Sequence, residues 1–341
     1  MTPRVALPGA GMIAGAHAAA AAHLRYPVVS VASRTDERAQ RLAGAFGSSA
    51  VRYEQQPGDA HIVVVATPPH RHADDAIRML QAGAAVLLEK PLCRTLEEAD
   101  RIVEAAALHG GRLLYGENLA YSPVVLQMVS MAGQVGTPTH LEVRSLQGLP
   151  TWGAFTTREW GGGALFDLGV HPLAVAMLLG MASGVGRVVA VEASLRGGDG
   201  HDSDEHAEVT LVFASGFRGR VVSSWQAGPE PHWDAQLAGD RGVVRAELLP
   251  QQALEFNGDE VRLPPPRTSP PLLETLGYAP QLQALADDIA HDREPAMSAA
   301  FGREVLDVVM AAYASAGANE RAVPVPFTGR RDRTPLELWR G

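Results

Sequence analysis

The sequence predicts a two-part α/β protein: a doubly wound parallel sheet, then a region built on a mostly antiparallel sheet. Three observations carry this. Short β-branched runs alternate with helical stretches over the first third of the chain. After "YSP" (121–123) that alternation stops, and strand-like runs follow one another with only turns between them. At 341 residues, 46% hydrophobic and 20% charged, the chain is long enough for two parts of ordinary globular composition. The division is expected between 1–120 and 121–341.

In the first part "RVALP" (4–8), "YPVVSVAS" (26–33), "HIVVVAT" (61–67), "AAVLLE" (84–89) and "GRLLYGE" (111–117) read as buried strands. Helical patterns over 12–24, 35–46, 72–83 and 95–110 lie between most of them. One link departs from the rule. Only "EQQPGDA" (54–60) separates "VRY" (51–53) from "HIVVVAT", too short for a crossover of about a dozen residues. An extended or one-turn connection is expected there. The second part opens with a helix near 122–133 and a strand in "THLEVRSLQG" (139–148). An aromatic loop and the helical pattern "GGGALFDLGVHPLAVAMLLG" (161–180) follow. Runs at 186–197, 206–216, 217–228, 232–240 and 241–249, joined by turns such as "ASG" and "GDRG", make the antiparallel sheet. "LPPPRTSPP" (263–271) reads as a polyproline-like surface connection. Helices near 279–292 and 298–317 and a proline-punctuated tail close the chain.

Composition excludes several functions. A net charge of −9 and the lack of any Lys/Arg-rich run argue against a nucleic-acid partner. The single cysteine, Cys93, rules out an internal disulfide and a cysteine-based zinc cage, and no metal ligand set is assigned. "AGAHAAAAAHL" (14–24) carries two histidines and is far shorter than a membrane span of about 20 residues. The first residues pass straight into a strand-and-glycine pattern with no room for a cleaved signal, so a cytoplasmic protein is expected.

"LPGAGMIAGAH" (7–17) places G-x-G-x-x-A at Gly9, Gly11 and Ala14, after a strand and opening a helix. The first glycine permits a tight turn. The second lets backbone approach a pyrophosphate at the helix N-terminus, against Met12 and Ile13. The next strand ends "VASRTDER", with Ser33 and Arg34 where an acidic residue would hold an unphosphorylated ribose. A hydroxyl and a guanidinium, joined by Arg38 one helical turn on, suit a 2′-phosphate and favour NADP over NAD. Arg34 as a plain surface turn residue is the competing reading.

The chain has 28 arginines and one lysine, Lys90, in "VLLEKPLCR" (86–94). On a solvated surface the two residues are exchangeable; they differ where a compact, rotatable ammonium is needed. Lys90 follows a strand, at the carboxyl edge where ligands of doubly wound sheets bind, as do Thr67 and Pro68 in "VVVATPPHRH" (63–72). In the second part Asp167 and His171 stand four apart on a helical pattern and so share a face. A carboxylate there fixes an imidazole tautomer and raises its basicity, or acts on substrate hydroxyls beside it. The bland alternative is a helix-surface pair. Trp152, Phe155, Arg158 and Trp160 in the loop upstream are packing residues or substrate contacts.

Together, "GAGMIAGAH", "ATPPHRH", "EKP", "GGGALFDLGVH" and the closing "YASAGANERAVPVP" resemble the Gfo/Idh/MocA oxidoreductase family, in its order and approximate spacing. The resemblance implies an N-terminal Rossmann domain and a C-terminal α/β domain whose open, mostly antiparallel sheet mediates homo-oligomerisation as a dimer or tetramer. Its catalytic lysine, aspartate and histidine fall on Lys90, Asp167 and His171. Thr67, Pro68, His72 and Glu89 match the cofactor-side motif, and Asn118 a position near the nicotinamide. Tyr121, Trp152 and Arg158 are candidate substrate contacts. The implied activity is NADP- or NAD-dependent hydride transfer at a secondary alcohol or ketone of a sugar, polyol or related cyclic substrate. An NAD-dependent glycoside hydrolase or epimerase on the same scaffold is one rival, and a non-catalytic NAD(P) sensor the other. Two departures stand out: the shortened 54–60 connection, and the lack at Leu119–Tyr121 of a basic residue that many sugar-acting members carry.

Overall fold

The computed structural model describes residues 2–54, 58–198 and 200–341. It divides into two compact units. The first holds the chain up to Cys93, Glu97–Tyr121 and Pro266–Arg303; the second holds Arg94–Leu96, Ser122–Pro265 and Glu304–Gly341.

The first unit starts with β1 (Val5–Pro8), α1 (Met12–His23), β2 (Val28–Ala32), α2 (Asp36–Ala45), β3 (Ser49–Val51) and β4 (Ile62–Val65). It continues with α3 (His72–Gln81), β5 (Ala85–Glu89), α4 (Leu96–Leu108) and β6 (Leu113–Gly116). The six strands form one sheet in the order β3-β2-β1-β4-β5-β6, and each determined pairing is parallel. That is the doubly wound arrangement read from the alternation. β1, β4, β5 and β6 are buried along their whole lengths, as strands covered on both faces must be. The strand order reverses between β1 and β4, and such a switch point opens a crevice at the carboxyl ends of the strands. The short connection between β3 and β4 includes residues 55–57, which lie outside the described residues.

The second unit opens with α5 (Pro123–Met131), whose first residue is the proline that a first helical turn tolerates. β7 (Pro138–Leu146) leads through the aromatic loop to α6 (Ala164–Asp167) and α7 (Val170–Ala182). Then come β8 (Val188–Gly197), β9 (Asp204–Phe213), β10 (Arg218–Ser224), β11 (His232–Gly239), β12 (Val243–Leu249), β13 (Ala253–Phe256) and β14 (Asp259–Glu260). The "ASG" and "GDRG" segments are tight turns between β9 and β10 and between β11 and β12. In the first unit again, α8 (Leu272–Thr275) and α9 (Tyr278–Ala290) follow; α10 (Ala299–Gly317), β15 (Val323–Pro324) and α11 (Pro335–Arg340) end the chain. The sheet order is β14-β13-β12-β11-β7-β10-β9-β8-β15. Its pairings are antiparallel except that β7 and β10 run parallel, because the helices α6 and α7 carry the chain over between them. Strand burial alternates along β9 and β11, apolar inward and polar outward.

The structure corrects the sequence reading at three places. The pattern 161–180 is two helices, divided at Leu168–Gly169. A short helix, α8, follows the proline-rich connection. The tail carries α11, fixed by a capping box in which Thr334 and Glu337 exchange side-chain and backbone bonds; its signature, "TPLE", is in the sequence.

Candidate active site

In the first unit the carboxyl ends of β1, β4, β5 and β6 assemble the candidate cofactor edge. After β1, Gly9 adopts φ +121, a region open to glycine. A Cβ there would stand 2.3 Å from the Ala66 carbonyl oxygen past the end of β4. Only glycine lets the two strand ends meet. Gly11 is the N-cap of α1 and makes no side-chain cap; a Cβ on it would meet nothing within 4 Å. The helix thus begins with backbone N–H groups that have no intrahelical partner facing open room beside an exposed Met12. A cradle of donors that only a glycine leaves open fits a dinucleotide pyrophosphate.

Past β2, the Ser33 hydroxyl accepts the Thr35 backbone N–H at 3.1 Å and shapes the turn into α2. Arg34 is exposed within that turn and Arg38 is exposed in the first turn of α2. Past β4, the Thr67 hydroxyl is turned inward and donates to Asp75 at 3.0 Å. The buried Asp75 also takes the Tyr53 hydroxyl and an Arg78 guanidinium N–H. Tyr53 is pushed up to about 12, by burial first and then by Asp75. His72 is buried as well: Nε2 lies 2.7 Å from the Thr67 carbonyl and Nδ1 2.8 Å from that of Pro91. Burial lowers its pKa, against those two carbonyls. The side chains of Thr67 and His72, both matched to the cofactor-side motif, thus also brace the strand ends.

Past β5, Glu89 is buried and Lys90 is half-buried. Glu89 Oε2 accepts the Lys90 backbone N–H at 3.1 Å, and Oε1 lies 2.6 Å from His17 Nε2 of α1. Past β6, the Asn118 amide donates to the Leu276 carbonyl at 2.6 Å, and Glu117 accepts the Leu119 N–H at 3.2 Å. Tyr121 ends this stretch, half-buried, its phenol raised by burial. Sequence reasoning missed His17 and Glu117. A signal for His17 existed: it lies on the same face of α1 as Ala14, Ala18 and Ala21.

In the second unit Asp167 ends α6 and His171 opens α7, and both are buried. Gly169 between them packs so closely that a Cβ would fall 2.6 Å from the Leu165 carbonyl oxygen and 2.7 Å from Ser223 Oγ. The small Ser145 and Ser223 lie in register with Trp233 across β7, β10 and β11. The His171 ring packs on the indole of Trp233, centroids 5.4 Å apart and tilted by 33°. Upstream, Asp204 of β9 accepts the backbone N–H groups of Gly163 and Leu165 at 3.1 and 2.8 Å, and the Tyr313 hydroxyl at 2.5 Å. Burial pushes the Asp204 carboxyl up, against these donors. None of Asp204, Tyr313 or Trp233 was singled out from sequence. Arg158 pairs with Asp202 at 2.7 Å on the surface, and holds that carboxylate down. Phe155 and Trp160 pack edge to face at 4.5 Å, the packing role foreseen as the alternative, whereas Trp152 is exposed.

Comparison with known proteins bears on the fold and the family. Residues 3–117 match the oxidoreductase family with an NAD-binding Rossmann fold, and residues 125–245 match the GFO/IDH/MocA C-terminal domain. A dTDP-3,4-didehydro-2,6-dideoxy-alpha-D-glucose 3-reductase of Saccharopolyspora spinosa is 31% identical over 66% of this chain and 75% of that protein. A putative UDP-kanosamine synthase oxidoreductase subunit of Amycolatopsis mediterranei is 28% identical over 79% and 82%. Among solved structures, GenD2 from gentamicin A biosynthesis, in complex with NAD, superposes with a TM-score of 0.82 at 26% identity, covering 95% of this chain and 97% of that one. With its Rossmann sheet, its glycine cradle and its large mixed sheet, the chain belongs to the Gfo/Idh/MocA family of oxidoreductases.

Proposed function

We propose that this oxidoreductase interconverts a secondary alcohol and a ketone on a sugar, polyol or related cyclic substrate, with a nicotinamide cofactor. The observation that carries the reading is the placement of the only lysine, one residue past β5 in the sheet whose neighbouring strand ends form the glycine cradle. Gly9, Gly11, Met12 and Ile13 would hold the pyrophosphate. Pro68, Lys90 and Asn118 would border the nicotinamide end, with Thr67, His72 and Glu89 bracing it. When bound, the cofactor supplies the hydride acceptor or donor.

The chain's own residues handle the proton and the oxygen. Lys90 Nζ donates a hydrogen bond to the reacting oxygen and stabilises the charge that develops there, a role typically worth about 3–4 kcal/mol. His171 takes the hydroxyl proton in the oxidising direction and returns it in reverse. Asp167 orients His171 or binds a neighbouring hydroxyl, and Tyr121, Trp152 and Arg158 are substrate contacts. Ser33, Arg34 and Arg38 support NADP over NAD, because one exposed arginine lies in the turn after β2 and another in the first turn of α2, where a 2′-phosphate would sit.

A screen of sugars, polyols and cyclic ketones with NADP and NAD, read by nicotinamide absorbance, tests the reading. Turnover with at least one, faster with NADP, is the expected result; no turnover with any overturns it. A cofactor that is never released would instead assign the hydrolase or epimerase chemistry. The outer face of the second sheet carries linked ion pairs, with Arg220 bridging Glu142 and Glu208 at 2.6 Å each. That face is our candidate for self-association into a dimer or tetramer, which light scattering reads directly.

A further inference from the structure

The alanine-rich helix α1 buries one polar side chain besides its small apolar ones. His17 is fully buried on the face it shares with Ala14, Ala18 and Ala21. A histidine in such a place needs a partner, since an unsatisfied buried polar group costs about 1–3 kcal/mol. Its Nε2 meets Glu89 Oε1 at 2.6 Å, and the Tyr278 ring closes over its edge with centroids 5.3 Å apart. Nδ1 has no hydrogen-bond partner among the described residues. The hydrogen therefore belongs on Nε2, where it is donated to the carboxylate, and Nδ1 is left as a bare acceptor, the cheaper group to strand.

Glu89 is held at both oxygens, by His17 through Oε1 and by the Lys90 backbone N–H through Oε2. On the far side of Lys90, the Pro91 carbonyl is held by His72. The lysine thus sits between two braced neighbours, and the brace on its N-terminal side comes from the helix that starts at the glycine cradle. We propose that His17 is a positioning residue for Lys90: by fixing Glu89 it fixes the backbone that presents the ammonium, and it ties that backbone to the cofactor-binding helix. The inference deepens the proposed function and rests on its reading of Lys90 as the group that meets the reacting oxygen.

The sole lysine makes a direct test available. Protein grown on ¹³C-labelled lysine, with a lysine-free tag, shows the side-chain resonances of Lys90 alone. In His17→Leu these resonances move and broaden. In His17→Gln, whose side-chain amide can donate from the same place, they return to the wild-type position. On the substrate found in the screen, turnover of His17→Leu falls on the order of 100-fold, the usual cost of a misplacement of about 1 Å, while NADH binding, read by fluorescence, is retained. Should His17→Leu fail to fold, Glu89→Gln replaces one of the two acceptor oxygens by a donor and is expected to displace the same resonances. Wild-type lysine resonances in a folded His17→Leu or Glu89→Gln protein overturn the proposal. A wild-type enzyme without turnover on any substrate overturns the functional reading instead, and the resonance test remains decisive for the brace.

Discussion

The strand end that carries Lys90 and the helical segment that carries Asp167 and His171 are built by different means. Lys90 is placed by sheet geometry, since a residue just past a central parallel strand must emerge at the carboxyl edge. Its neighbours in sequence, Glu89 and Pro91, are braced in turn by His17 and His72 of the same unit. Asp167 ends the four-residue helix α6 and His171 lies in the first turn of the buried 13-residue helix α7. They are fixed from far along the chain, by Asp204 and Tyr313 at the start of α6 and by Trp233 beneath the ring of His171. A site residue on a strand end inherits its position from the fold. One at a break between two helices depends also on partners from later strands and helices.

Substitutions can break or sharpen that contrast. Asp204→Ala leaves the Gly163 N–H its bond to the Tyr313 hydroxyl but strands the Leu165 N–H and the Tyr313 O–H donor, and is expected to cost about 2 kcal/mol or more at about 1–3 kcal/mol per stranded group. Urea unfolding reads this, and a loss below 1 kcal/mol would mean that the helix holds itself, by the scale of an ordinary net hydrogen bond. In the first unit, Arg34→Ala leaves folding intact and reduces the preference for NADP over NAD about tenfold, as loss of a charge-assisted bond worth about 1.5 kcal/mol would; paired kinetics with the two cofactors check it. His72 supplies a pH signature for the strand ends. Its folded pKa is lowered by burial, so the unfolded chain takes up a proton that the native protein resists. Stability contributed by this group is present above about 6.5 and is lost as pH falls from there through the folded value. Urea midpoints measured across that range should decline in wild type and decline less in His72→Gln. Arg158→Ala removes a surface pair with Asp202 and should change stability by no more than about 0.5 kcal/mol. A larger loss would show that the aromatic loop depends on it.

The same contrast explains what was legible in the sequence. The glycine turn, the strand ends and the antiparallel turns are set by neighbours in sequence, and their residues were identified in place. Thr67 and His72 were found through their motif, whereas their bonds to Asp75 and to the Thr67 and Pro91 carbonyls were not, because a motif shows which residues gather at a strand end and not which way each side chain turns. The break at Gly169 was invisible, since "LFDLGVH" reads as continuous helix until Ser223 is known to lie against it. Asp204, Tyr313 and Trp233 come from separate later segments and carry no local signal of their purpose. His17 lies between these extremes: its place on the covered face of α1 is readable, and its partner Glu89 is 72 residues away.

On the proposed function, the one lysine is kept because the reaction needs an ammonium at that strand end. Lys90→Arg preserves the charge and replaces the compact donor by a broad planar one. Turnover and NADPH binding measured side by side on wild type and Lys90→Arg test this most directly. Retained binding is expected, with turnover reduced about 100- to 1,000-fold, the usual cost of losing one donor to a developing oxyanion. Near-wild-type turnover in Lys90→Arg would contradict it.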